Sequence, residues 1–219
     1  IGCLSQRYGA ELQEEIPEVD AFFGKFDWKG VLERMGEHFD ERIHNQRVLT
    51  TPDHYAYLKI SEGCNRTCSY CAIPIMTGKH KSRDFEELLE ECRALVKGGV
   101  KEILVAAQDL TYYGIDLYGK NRLAVLNGRI ADIEGLEWIK LHYAYPAGFP
   151  LELLTVMRER PNVCKYLDIA LQHCSDHMLQ QMRRGISKKQ TIELIRKIRQ
   201  EVPGIFIRTT LMTGHPGET

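Results

Sequence analysis

From Tyr55 onward, short strand-type runs alternate with helix-type runs, and this rhythm limits the folds open to the chain more than any other feature. Tyr55–Ile60 alternates and is rich in aromatic and branched residues, the signature of a strand. Phe85, Leu88, Leu89, Cys92, Leu95 and Val96 then recur with a helical period, with Asp84 and Glu87 placed to cap the start and Gly98-Gly99 to end it. Glu102–Ala107, Trp138–Tyr143, Tyr166–Leu171 and Ile205–Met212 are further strand-type runs. Leu151–Glu159 reads as a helix, and Ser187 with Gln190 forms a capping box for another that reaches about Glu201. Strands alternating with helices imply parallel βα units. With five strands and no clear sixth, the expected fold is α/β, a partial (βα) barrel over residues 51–219 truncated after strand five. Residues 1–50 differ in character, with short apolar patches between charges and glycines, and 37–47 is a charged surface linker.

In parallel βα folds the chemistry sits at the C-terminal ends of the strands. Here those ends are Glu62–Cys71, Gln108-Asp109, His142–Pro146, Gln172–Ser175 and Thr213–Glu218, all polar or glycine-rich. The first carries three of the seven cysteines, Cys64, Cys68 and Cys71, spaced C-x3-C-x2-C. An odd total with such bunching is a poor disulfide framework and a good metal site. Three thiolates on one loop can hold three irons of a 4Fe–4S cube and leave the fourth iron without a protein ligand. That open iron suits a small chelate such as the amino and carboxylate groups of a methionine. Electron transfer into an attached sulfonium then breaks a C–S bond. Structural zinc wants four ligands, usually from two C-x2-C-like pairs. Here no second pair exists, and His80 lies well downstream.

The charge balance adds little steering. Net charge is −1 with 27% charged residues, so no electrostatic footprint points to nucleic acid or an anionic membrane. No apolar run approaches the roughly 18 residues that span a bilayer, and a cytoplasmic protein without membrane partners is the expectation.

The cysteine loop after the first strand, with an aromatic before the third cysteine, resembles the radical S-adenosylmethionine superfamily. Ile60–Cys71 with Pro74 and Gly78–Arg83 is similar to its methylthiotransferases, as are Gln172–Ser175, Met182–Arg184 and Gly214–Thr219. His215 departs from that pattern, which usually has phenylalanine. Gly2–Tyr8 resembles the end of the family's N-terminal α/β domain, so residues 1–50 are expected to be a remnant of it and the chain a fragment. Ala107-Gln108-Asp109, Tyr113–Asp116 and Trp138–Pro146 resemble the branch that modifies an aspartate of small-subunit ribosomal protein twelve. The alternative branch modifies a tRNA adenosine, and an iron–sulfur or zinc scaffold is the non-enzyme alternative. The resemblance implies a 4Fe–4S cluster, S-adenosylmethionine, an electron donor such as a flavodoxin, a ribosomal protein substrate, and a second 4Fe–4S cluster in the full-length protein. Its implied chemistry is hydrogen abstraction at the aspartate β-carbon, sulfur from the second cluster and a methyl group from another S-adenosylmethionine.

Cys3 resembles the third ligand of that second cluster; a terminal free thiol is the equal alternative. Gln108, Asp109 and Gln172 are the polar candidates around the cofactor, with turn capping as the alternative. Cys92 and Cys164 read as packing residues, Cys174 as an incidental loop cysteine, Arg183-Arg184 as a solvated pair and Lys79–Arg83 as a solvated loop. Anaerobic reconstitution is expected to yield about four irons and four sulfides. Replacing Cys64, Cys68 and Cys71 together by alanine should abolish the brown chromophore, as read by iron analysis and absorbance.

Overall fold

The computed structural model describes residues 1–25, 27–38 and 47–219. Most of the charged stretch read as a linker therefore lies outside the described residues. Two helices come first, α1 (Cys3–Glu15), kinked at Tyr8, and α2 (Trp28–Arg34), capped by the Asp27 carboxylate on the Gly30 amide. Then follow β1 (Tyr55–Lys59), β2 (Ser61–Glu62), α3 (Ile73–Thr77), β3 (Lys81–Ser82), α4 (Phe85–Lys97) and β4 (Glu102–Ala106). A 3-10 turn (Leu110–Tyr112) leads to α5 (Ile115–Tyr118), α6 (Leu123–Ala131), β5 (Trp138–Ala144) and α7 (Glu152–Glu159). The chain continues through β6 (Val163–Ile169), α8 (Asp176–Gln181), α9 (Lys188–Glu201) and β7 (Phe206–Arg208).

Five strands form one parallel sheet in the order β1-β4-β5-β6-β7, which is also their order in the chain. Each crossover thus steps one strand further in the same direction. All five strand tips therefore lie along one edge, as the expected partial barrel requires. The helix-covered face is apolar: Ala56, Leu58, Ile103, Val105, Ile139, Leu141, Leu167 and Ile169 pack with Leu88, Leu89, Cys92, Leu126, Ile130, Met157 and Ile198. On the other face Lys140, His142, Tyr166 and Arg208 stay at least partly accessible, while Leu104 and Asp168 are buried.

Several elements depart from the sequence expectation. β6 begins at Val163 and so includes Cys164. β7 ends at Arg208, because past it the Leu171 amide turns to the Thr209 hydroxyl and only an isolated bridge, Gln172 with Leu211, remains. Helix α6 had no counterpart in the sequence reading. Asn127-Gly128 is turn chemistry, but the Asn127 amide bonds the Leu123 carbonyl and burial of Leu123, Leu126 and Ile130 prevails. The described part of residues 1–50 contains only α1 and α2 as regular elements, and α1 packs against α3. The Ser187–Gln190 capping box and the Asp84 cap form as read.

Leu141 lies at the centre of this sheet and is 1% exposed. Leu141→Ala should cost about 2–5 kcal/mol of stability by lost transfer energy plus the cavity left behind, measured by denaturant unfolding.

Candidate cluster and cofactor site

The cysteine loop leaves β1 through the small β2–β3 hairpin, in which Ser61 pairs with Ser82 and Glu62 with Lys81. Gly63 makes the turn at φ +71°, and a Cβ there would sit 2.1 Å from the Lys79 carbonyl oxygen. No other residue fits without moving backbone. The Cys64 amide donates to the Gly78 carbonyl (3.2 Å) and the His80 amide to the Asn65 side chain (3.0 Å), closing the loop on itself. The run Lys79–Arg83, read as solvated, instead alternates, with His80 and Ser82 buried. Ser82 accepts from the Gly114 amide and donates to Asp116, so its proton is spent. The His80 Nε2, 3.2 Å from that oxygen, must therefore carry its own proton.

Cys64 and Cys68 are buried and Cys71 half-buried. Burial raises the Cys64 pKa, only partly offset by the Arg66 amide, which donates to its sulfur at 3.4 Å. No three His, Cys, Asp or Glu side chains among the described residues converge tightly enough for a single metal ion.

Around the loop, two guanidinium groups lie over the Tyr145 ring, Arg66 at 4.0 Å and Arg184 at 4.2 Å from its centre. Asp109 holds Arg66 through its Nε at 2.7 Å and spends its other oxygen on the Thr111 amide and hydroxyl. That carboxylate caps the 3-10 turn and aims Arg66. Arg184 is 3% exposed, so the sequence reading of a solvated pair fails for it, while Arg183 is exposed. No local pattern marks Arg184, since its partners Cys68 and Tyr70 are more than a hundred residues away in sequence. Cys92 is fully buried, and its thiol pKa is pushed up to about 12 by that burial, as a packing residue requires. Cys174 is exposed.

The strand tips carry unpaired polar atoms. The Gln108 Oε1, Gln172 Oε1 and His142 Nε2 are each buried with no partner among the described residues. Gln172 and Tyr143 hold positive φ, 71° and 70°. Buried orphans and left-handed non-glycine residues are rare in native folds and mark places where a ligand or function compensates. Three such atoms on the tips of β4, β5 and β6, beside the cysteine loop, fit a polar organic cofactor. The Gln108 Nε2 donates to Glu62 at 3.4 Å, and Glu62 pairs with Lys59 and, at 3.1 Å, with Lys25. Burial acts to raise the Glu62 pKa, but the two lysines prevail and hold it below the usual value.

The parallel sheet thus carries a three-cysteine loop at its first strand tip and unpaired amide oxygens just past β4 and β6. The family model described as the radical SAM superfamily matches residues 58–219, and the chain belongs to that superfamily. It is 66% identical over 219 residues to the ribosomal protein uS12 methylthiotransferase RimO of Porphyromonas gingivalis, covering 100% of this chain and 50% of that protein. It is 65% identical over 219 residues to the protein of the same name from Bacteroides fragilis, covering 100% of this chain and 51% of that protein. The chain thus spans about half the length of these relatives. Among solved structures it is similar to the radical S-adenosylmethionine methyltransferase TsrM of Kitasatospora setae, with a TM-score of 0.60 and 18% identity, covering 80% of this chain and 35% of that one. It is also similar to the cobalamin-dependent S-adenosylmethionine radical enzyme OxsB, with a TM-score of 0.55 and 18% identity, covering 71% and 23%. These two likenesses speak to the fold.

Gly63→Ala should sharply lower the iron and sulfide retained after reconstitution while leaving the far-UV circular dichroism unchanged, because only the cysteine loop must shift.

Proposed function

We propose that this chain is the cluster-bearing core of an enzyme that methylthiolates the β-carbon of an aspartate in small-subunit ribosomal protein uS12. The observation that carries this reading is the 66% identity, over 100% of the chain, to a curated uS12 methylthiotransferase, and the C-x3-C-x2-C loop of this chain suits a cluster with one open iron.

Cys64, Cys68 and Cys71 would hold the 4Fe–4S cluster and leave one iron open to S-adenosylmethionine. When bound, that pair supplies one-electron cleavage of a carbon–sulfur bond and hydrogen-atom abstraction. The protein's share is positioning and exclusion of water. Gln108 and Gln172 offer amide oxygens that accept from an amino or ribose hydroxyl group without adding charge. Asp109 acts through Arg66, and Tyr145 with Arg184 closes the buried side of the loop. Cys3, at the start of the helix that packs on α3, would be a ligand of the second cluster that supplies sulfur. Residues 1–50 would belong to the domain carrying that cluster and 51–219 to the radical core. A flavodoxin-type donor and a cytoplasmic setting complete the reading.

The test is deletion of the gene followed by mass spectrometry of ribosomal protein and tRNA. The methylthio increment should vanish from uS12, with tRNA unchanged. Loss from tRNA with uS12 unchanged would overturn the reading.

A further inference from the structure

We propose that Arg184 is the built-in counter-charge of the cluster, and that its hydrogen bond to the Cys68 sulfur holds the cluster's midpoint potential up. This rests on the reading of the cysteine loop as a 4Fe–4S site.

The argument starts from an imbalance of charge. Arg184 is 3% exposed. Its Nη1 donates to the Cys68 Sγ at 3.3 Å and to the Tyr70 hydroxyl at 3.0 Å, and its Nη2 donates to the Ala170 carbonyl. Its Nε finds no partner, and one face lies on the Tyr145 ring. Among the described residues no carboxylate pairs with it. Arg66, which also lies over that ring, is answered by Asp109. Burying a cation among neutral groups is costly, so a site that keeps one has a negative charge to meet. Three thiolates on an oxidised cube give a net charge of about −1, and one added electron makes it about −2. Arg184 is the buried cation that contacts a ligand sulfur of that loop.

Its placement does not wait for the cluster. The Tyr145 hydroxyl donates to the Arg184 carbonyl at 2.7 Å, and the Arg184 amide donates to the Leu179 carbonyl at 2.9 Å. Arg183, at φ 53°, turns the chain so that its neighbour points inward. The backbone is thus fixed on both sides of the guanidinium. A charged N–H donor on a ligand sulfur draws electron density from it and favours the reduced state, where the sulfur is more negative. The one electron taken up comes from the external reductant, and no bond at Arg184 forms or breaks.

The experiment is potentiometric titration, followed by electron paramagnetic resonance, of the full-length reconstituted protein and of Arg184→Gln and Arg184→Lys. Iron analysis on each sample separates the two levels of the argument. Absence of iron from the wild-type protein would sink the cluster reading itself. With iron bound, the expected result is a lower midpoint for Arg184→Gln, with Arg184→Lys between it and wild type. Lysine keeps the charge but cannot span Cys68, Tyr70 and Ala170 together. An unchanged or higher midpoint in Arg184→Gln would overturn the inference. Should that variant fail to hold its cluster, an Arg184→Lys midpoint at or above wild type would overturn it equally.

Discussion

Tyr145 stands where three distant pieces of chain meet. Its ring lies against Arg66 from the loop after β1 and Arg184 from the turn after α8, and its hydroxyl reaches back to the Arg184 carbonyl. The ring itself comes from the segment just past β5. At 8% exposure these contacts are largely dry, the regime in which a cation over an aromatic face contributes up to about 2 kcal/mol. Burial also raises the Tyr145 pKa more than the adjacent Arg184 lowers it, and Tyr70 is pushed up to about 12 in the same way. Both phenols therefore remain neutral across the ordinary pH range. The cysteine loop is bordered by neutral hydroxyls, and the charge that reaches a sulfur is the one on Arg184.

The two faces of the sheet explain why so much of this was legible in the sequence. A parallel strand covered on both faces reads as a continuous apolar run, but β5, Trp138-Ile139-Lys140-Leu141-His142-Tyr143-Ala144, alternates. That alternation already says one face is packed and the other open. The strand tips then follow by counting, and so do Gln108 and Gln172, because a strand fixes which residues reach its end. The cysteine spacing is equally local. Arg184, Arg66 and Lys25 escape such reading because their roles depend on residues far away in sequence, and nothing in a run such as Met182-Arg183-Arg184 tells a buried guanidinium from a solvated one. Helix α6 was hidden for a related reason. Its Asn127-Gly128 pair is turn-like by local preference, and only the sheet beneath it decides otherwise.

The N-terminal segment is tied to the strand tips by polar contacts rather than by a shared core. The Gln6 side chain accepts from the Lys25 amide (3.1 Å), the Lys25 ammonium pairs with Glu62, and Glu62 accepts from Gln108 at the tip of β4. Gly24 lies so close under Gln6 that a Cβ would meet its amide oxygen at 2.1 Å. Each link is modest, since half-exposed ion pairs contribute little to stability. Their value is geometric. Glu62 stands two residues from Cys64 and is held by lysines from two separate segments, one of them β1. Burial lowers the pKa of its neighbour Lys59 despite the carboxylate beside it. Glu62 thus links the turn after α1, through Lys25, to the Gln108 side chain at the tip of β4. The Gln108 amide oxygen there is left buried and without a partner among the described residues.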